Sequence, residues 1–277
     1  MDFTAPPTHP VTASALRVPD GELYFELRGS GPLVVLIGAP MDAGPFAALA
    51  DLLAGDHTVL TGDPRGIHRS RLDDPGADST PELRADDLAR LIEHVDAGPA
   101  VVLGSSGGAV SVLALVQRRP DLVRVAIAHE PPLSGLLDDR DELRARTDDI
   151  IATHRSGDRL AAGRKFLALA RLHLPDEVVE QIFGGPVTPQ QAADADYQND
   201  HMLVGTAFWE PDLDALRAAP TRLLIGLGEE SAGQLCDDTS HALAAALGTS
   251  TTSFPGGHTG FAEDPVAFAA RLREVIA

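Results

Sequence analysis

Residues 104–108 read Gly-Ser-Ser-Gly-Gly, entered by an apolar β-branched run (Val101 to Leu103) and left by a helix-compatible apolar stretch (Ala109 to Val116). A strand that turns directly into a helix tolerates only small residues two positions either side of the turn residue. Larger neighbours would drive their Cβ atoms into the turn. Gly104 and Gly108 meet that demand around Ser106. Such a turn exposes the Ser106 hydroxyl and aims the free N–H groups of a helix N-terminus at whatever the serine attacks. A flexible Gly-Ser linker matches the composition but not the two flanking buried-type runs. A phosphate-binding loop would need Gly-x-Gly-x-x-Gly spacing or a Gly-Lys-Ser/Thr ending, and neither is present.

The rest of the chain alternates in the same way. Residues 1–18, rich in Pro and Thr, read as a surface run, and Glu22 to Arg28 as an outer strand. Apolar runs predict buried strands at Leu33–Ile37, His57–Thr61, Ala100–Leu103, Val123–Ala128, Thr221–Leu227 and Thr251–Phe254. Helical patterns fall between them at Phe46–Leu53, Pro81–Val95, Ser231–Leu247 and Asp264–Ile276, with Thr80-Pro81 a helix start signal. From 133 to 217 only helical patterns occur (138–155, 158–173, 175–183 and 189–206). Strand–helix alternation predicts an α/β fold, a mostly parallel sheet with helices on both faces. The helical block predicts an insertion: a core of residues 1–132 and 218–277, and a helical cap over 133–217.

Composition narrows the class. The 277 residues, 44% hydrophobic, suffice for one large α/β domain with an insertion. A net charge of −19 repels nucleic acid and anionic membranes, so neither is an expected partner. No apolar run approaches the roughly 18 residues a membrane helix needs, and the first residues lack the basic start and apolar core of a secretory signal. Cys236, the only cysteine, can form neither an internal disulfide nor a cysteine-rich metal site. These features predict a cytoplasmic protein; they leave its oligomeric state open.

In a parallel sheet the active site lies beyond the carboxyl ends of the strands. Gly38-Ala39-Pro40, Ser106, His129-Glu130, Gly228-Glu229-Glu230-Ser231 and the loop Pro255-Gly256-Gly257-His258-Thr259-Gly260 all fall there. With the elbow at 104–108, the segment Asp63-Pro64-Arg65-Gly66-Ile67-His68-Arg69-Ser70 and the Gly-rich His258 loop, the chain resembles the α/β-hydrolase fold family over residues 20–277.

The resemblance implies Ser106 as nucleophile and His258 as its base, with His129 a distant second. The family's acid usually sits where this chain has Ser231, and a hydroxyl cannot stabilise an imidazolium. Some members carry the acid one strand earlier, which here is Glu130, held by Pro131-Pro132. Glu230, Glu229 and Asp212 are the alternative acids. The oxyanion hole would use the backbone N–H groups of Ala39 and Gly107. Asp63 and Arg65 read as structural, pairing across their loop, and His68 as a residue that could reach the pocket.

The implied activity is a serine hydrolase of an ester, lactone or similar acyl bond, with no metal or cofactor. Alternatives on the same fold are a C–C bond hydrolase, a perhydrolase, or a binding protein whose triad has decayed. The expected partner is a small-molecule substrate with an apolar part, met by Phe183, Tyr197, Phe208 and Trp209 of the cap.

Overall fold

A computed structural model describes residues 8–277. The chain runs β1 (Thr12–Val18), β2 (Gly21–Gly29), β3 (Leu33–Ile37), α1 (Ala47–Leu53), β4 (Thr58–Gly62), β5 (Arg71–Leu72), α2 (Pro81–Val95), β6 (Ala100–Ser105), α3 (Gly107–Arg118) and β7 (Val123–His129). It continues through α4 (Arg140–Arg155), α5 (Arg159–Ala170), α6 (Asp176–Val179), α7 (Pro189–Tyr197), α8 (Leu203–Ala207) and α9 (Leu213–Ala218). It closes with β8 (Arg222–Gly228), α10 (Leu235–Leu247), β9 (Thr251–Phe254), α11 (Gly260–Glu263) and α12 (Pro265–Ile276). The sheet order is β1-β2-β4-β3-β6-β7-β8-β9, with β5 beside β2. β2 pairs antiparallel with β1, β4 and β5, and every pair from β4 to β9 is parallel.

Both faces of the sheet are covered, which is why its central strands read as unbroken apolar runs. Side chains alternate between two cores. Leu33, Val35 and Ile37 of β3 join Val102 and the apolar faces of α2 and α3 on one side. Val34 and Leu36 join Leu103, Phe46, Phe254, Phe261 and Phe268 on the other. Local signals set the helix ends as expected: Thr80 Oγ1 accepts the Leu83 N–H at the start of α2, followed by Pro81 at the first helical position.

Two expectations fail. Residues 12–18 are an edge strand rather than a surface run; all but Leu16 and Val18 are exposed, so no apolar period marked them. Residues 1–7 of that expectation lie outside the described residues. The helices expected at 175–183 and 189–206 both pass into π-helical turns, Glu180–Gly184 and Gln198–Met202. Periodicity of 3.6 does not register that local widening.

Candidate active site

Ser106 joins β6 to α3 with φ +57° and ψ −128°, outside every region an ordinary L-residue favours. Its N–H donates to the His129 carbonyl (3.0 Å), and the Ala109 N–H donates to the Ser106 carbonyl (2.9 Å). The glycines are sterically required. A Cβ on Gly104 would lie 2.2 Å from the Gly108 carbonyl oxygen, and one on Gly108 would lie 2.4 Å from that of Ile37. The turn thus needs both glycines that the sequence places around it.

One strand over, Glu130 follows β7 with φ +51° and a fully buried side chain. His258, in the loop after β9, donates from Nδ1 to Glu130 Oε2 at 2.6 Å. The other carboxylate oxygen, Oε1, accepts the Gly228 N–H (2.8 Å) and the Ser231 hydroxyl. The Cys236 thiol also donates to Oε2, at 3.0 Å. Burial alone would push the Glu130 carboxyl up; these donors, the His258 ring foremost, outweigh it and hold the group well below the usual carboxylate range. The same surroundings push the Cys236 thiol up, through burial first and the adjacent carboxylate second.

Ser106 and His258 line one cavity of about 170 Å³, together with Ala39, Gly107, Pro132, Cys236 and apolar side chains of α5, α8 and α10. No hydrogen bond joins the serine hydroxyl to the His258 ring in this geometry, though both face the same space; contacts of this kind tighten when substrate binds. The Gly107 N–H donates to the Ala39 carbonyl (3.1 Å), so it is engaged in this geometry and not the free donor that sequence reasoning expects.

The remaining candidates lie elsewhere. Glu229 is exposed and accepts the Ser253 hydroxyl (2.9 Å), and Glu230 is exposed. Asp212 caps α9 by accepting the Ala215 N–H (2.9 Å). None of these three bonds to His258. His129 is sealed in the core among Phe254, Phe261 and Phe268, and burial lowers its pKa to about 4. Asp63 pairs with Arg69 (2.7 Å), while Arg65 pairs with Asp87 (2.7 Å) and Asp20 (2.8 Å), so the two do not pair with each other. His68 sits beside Asp42 (2.9 Å), off the cavity wall.

The four aromatic residues expected in the pocket do not line the Ser106 cavity. Trp209 donates to Glu82 (2.6 Å), Tyr197 packs on Ala39, Ile67 and Met202, Phe208 packs beside Leu143 and Ile150, and Phe183 lines a neighbouring cavity. An apolar period marks a buried face but not the neighbour it meets.

Sequence reasoning missed two supports. Cys236 entered only as a disulfide argument, and nothing local signals its contact with Glu130. Arg84 is fully buried, its pKa lowered by burial to about 10, and it donates to Ser111 of α3 (2.7 Å) and Thr206 of α8 (2.9 Å). It ties the helix behind Ser106 to a helix over the cavity.

Two donor sets could in principle approach a cation: Glu130, Cys236 and His258, and Asp42, Asp63 and His68, each with ligand atoms within 4.8 Å of one another. In the first the donors already bond to one another, and in the second Asp63 is taken by Arg69.

The chain matches the alpha/beta hydrolase family over residues 34–271 and belongs to it. It is 31% identical over 273 residues to an uncharacterized hydrolase, YraK, of Bacillus subtilis, covering 96% of both chains. It is 33% identical over 134 residues to the zearalenone hydrolase of Bionectria ochroleuca, covering 46% of this chain and 50% of that one. A thermophilic esterase from Thermogutta terrifontis superposes with a TM-score of 0.69 at 22% identity, over 96% of this chain and 98% of the esterase, a likeness of fold. No helix among the described residues is long and apolar enough to cross a membrane.

Proposed function

We propose that the protein is a serine hydrolase that cleaves an ester, lactone or similar acyl bond of a small molecule through Ser106, His258 and Glu130. The observation that carries this reading is the 2.6 Å contact between His258 Nδ1 and Glu130 Oε2, with His258 and the elbow serine on the wall of one cavity. A serine hydroxyl is inert near neutral pH unless a base removes its proton as it attacks. With Nδ1–H committed to Glu130, the His258 ring presents Nε2 as the acceptor. Glu130 fixes that tautomer and stabilises the imidazolium that forms.

The sequence of steps follows. Ser106 Oγ adds to the carbonyl carbon while its proton passes to His258 Nε2. The tetrahedral oxyanion is met by the backbone N–H groups of Ala39 and Gly107. The Gly107 N–H must exchange the Ala39 carbonyl for the oxyanion, and such a donor is worth roughly 3–4 kcal/mol of barrier. His258 then gives its proton to the leaving alcohol. Water, deprotonated by the same ring, hydrolyses the acyl-enzyme and frees the acid.

The apolar walls fit an apolar acyl part, and residues 133–217 act as the cap that shapes the cavity. No step needs a metal or cofactor. The test is turnover of short p-nitrophenyl esters and of lactones by the wild type, with the acyl-enzyme caught by mass spectrometry. Ser106→Ala is expected to lose at least about 10⁴-fold in kcat with an unchanged circular dichroism spectrum. A variant within threefold of wild type would refute the assignment.

A further inference from the structure

A second cavity, of about 230 Å³, lies inside the cap and shares Phe166, Gln198 and Leu203 with the Ser106 cavity, so these three form the partition between them. The two spaces differ in chemistry. The Ser106 cavity carries no Asp, Glu, Lys or Arg on its wall. The second carries Arg159, His154, Gln198 and Asn199 beside Ile150 and Phe183.

Two of these four polar groups are already engaged. His154 Nε2 is 2.7 Å from Asp196, and Asn199 Nδ2 donates to the Ala195 carbonyl (2.8 Å). Arg159 is not. Among the described residues no carboxylate lies within 4 Å of it, and its one hydrogen bond is a long one, 3.4 Å, to the Gly185 carbonyl. In a chain of net charge −19, most of whose arginines pair with Asp or Glu, an unmatched, half-buried guanidinium on a cavity wall is a place where an anion is attracted rather than repelled. Gln198, on the partition, makes no side-chain hydrogen bond with the described residues and faces both spaces.

The backbone is shaped to the same end. The π-helical turn Gln198–Met202 supplies Met202 to the first cavity, Asn199 to the second and Gln198 to both. The other π turn, Glu180–Gly184, carries Phe183, whose ring lies so close over Gly163 that a Cβ there would be 2.2 Å from it. Such widened turns recur at functional sites.

We propose that the second cavity binds a carboxylate at the far end of the substrate's acyl chain, with Arg159 as its counter-ion and Gln198 as a donor on the way. The inference rests on the serine-hydrolase reading and names its substrate class: esters of dicarboxylic acids in which an apolar spacer separates the reacting carbonyl from a free carboxylate. The acyl chain is the part still attached to Ser106 after the alcohol leaves, so it is the part the inner space must hold.

The test compares p-nitrophenyl half-esters of succinate, adipate and suberate with the neutral p-nitrophenyl esters of matching chain length. Arg159→Gln is expected to raise KM for the half-ester of best-fitting length by 10- to 100-fold, with kcat within threefold and the neutral esters within twofold. Arg159→Lys should recover part of the loss. Gly163→Ala, which displaces Phe183 without altering charge, should produce the same selective loss. Equal effects on charged and neutral esters, or none, would overturn the proposal. Isothermal titration of adipate and suberate into Ser106→Ala, with and without Arg159→Gln, reads the cavity without turnover: binding of at least one diacid, weakened tenfold or more by Arg159→Gln, is expected. Absence of binding by both diacids would overturn the cavity assignment. Failure of the wild type to hydrolyse any ester would overturn the hydrolase reading while leaving this binding result to stand by itself.

Discussion

The loops that leave β7 and β8 lie side by side, since His129 and Gly226 are register partners, yet they treat their carboxylates in opposite ways. The β7 loop buries Glu130 completely, where four donors from other segments surround it: Gly228, Ser231, Cys236 and His258. The β8 loop leaves Glu229 and Glu230 in solvent and buries Ser231, whose hydroxyl turns to Glu130. A carboxylate taken out of water is strongly disfavoured in its charged form unless hydrogen bonds compensate it. The difference teaches that the acid and its support need not come from one loop. Neighbouring strand ends meet at the same carboxylate: Ser231 of the β8 loop donates to Glu130 of the β7 loop.

The contrast can be broken most severely at Glu130. On the proposed mechanism Glu130→Gln keeps the shape but removes the charge, and kcat/KM is expected to fall by roughly 10³-fold, whereas Glu229→Gln and Glu230→Gln stay within about twofold. The next effect concerns stability and sits one residue earlier. The folded-state pKa of His129 is about 4, below its ordinary 6.5, because burial disfavours the charged ring. The unfolded chain therefore takes up a proton that the folded one refuses between those values. Stability declines as pH falls from 6.5 towards 4, by on the order of 3 kcal/mol from this group. Urea unfolding at pH 7 and pH 4.5 should show a smaller decline for His129→Gln than for wild type.

A smaller effect is expected at Ser231. Ser231→Ala removes one of the donors to a buried carboxylate and should lower kcat/KM by about tenfold, since a hydrogen bond to a charged group is worth roughly 1.5–3 kcal/mol and the others remain. Cys236→Ala should cost less than about threefold, because a thiol is the weakest donor of the set. If Cys236→Ala cost more than Ser231→Ala, the ranking of supports around Glu130 would be reversed.

Much of the core was legible because its signals are local. Strict spacing around Ser106, Thr80-Pro81 at a helix start and apolar runs such as Leu33–Ile37 each carry their own physical reason. The contact between Glu130 and His258 was one of several that the sequence left open: strand-end position alone admits Glu229 and Glu230 as well, and only the family resemblance favoured Glu130. The helices between β7 and β8 were less legible. Phe183, Tyr197, Phe208 and Trp209 are apolar at helical spacing, but which cavity or neighbour each meets depends on how the helices lie and on two π-helical turns that no 3.6-residue period reveals. Arg84 lies in α2, and nothing in its own segment marks it as buried. Its burial follows from α8 closing over it, a long-range contact with no trace in the residues around it.

The central claim, that Glu130 orients His258 to activate Ser106, is tested most directly by the second-order rate of fluorophosphonate labelling, with the labelled residue mapped by mass spectrometry. The rate is to be compared across wild type, Glu130→Gln, Glu229→Gln and Glu230→Gln. The expected result is label on Ser106 throughout, a rate at least about 100-fold slower in Glu130→Gln, and rates within twofold of wild type in the other two. Label on Ser105, or a Glu130→Gln rate within threefold of wild type while Glu229→Gln or Glu230→Gln fails, would contradict it.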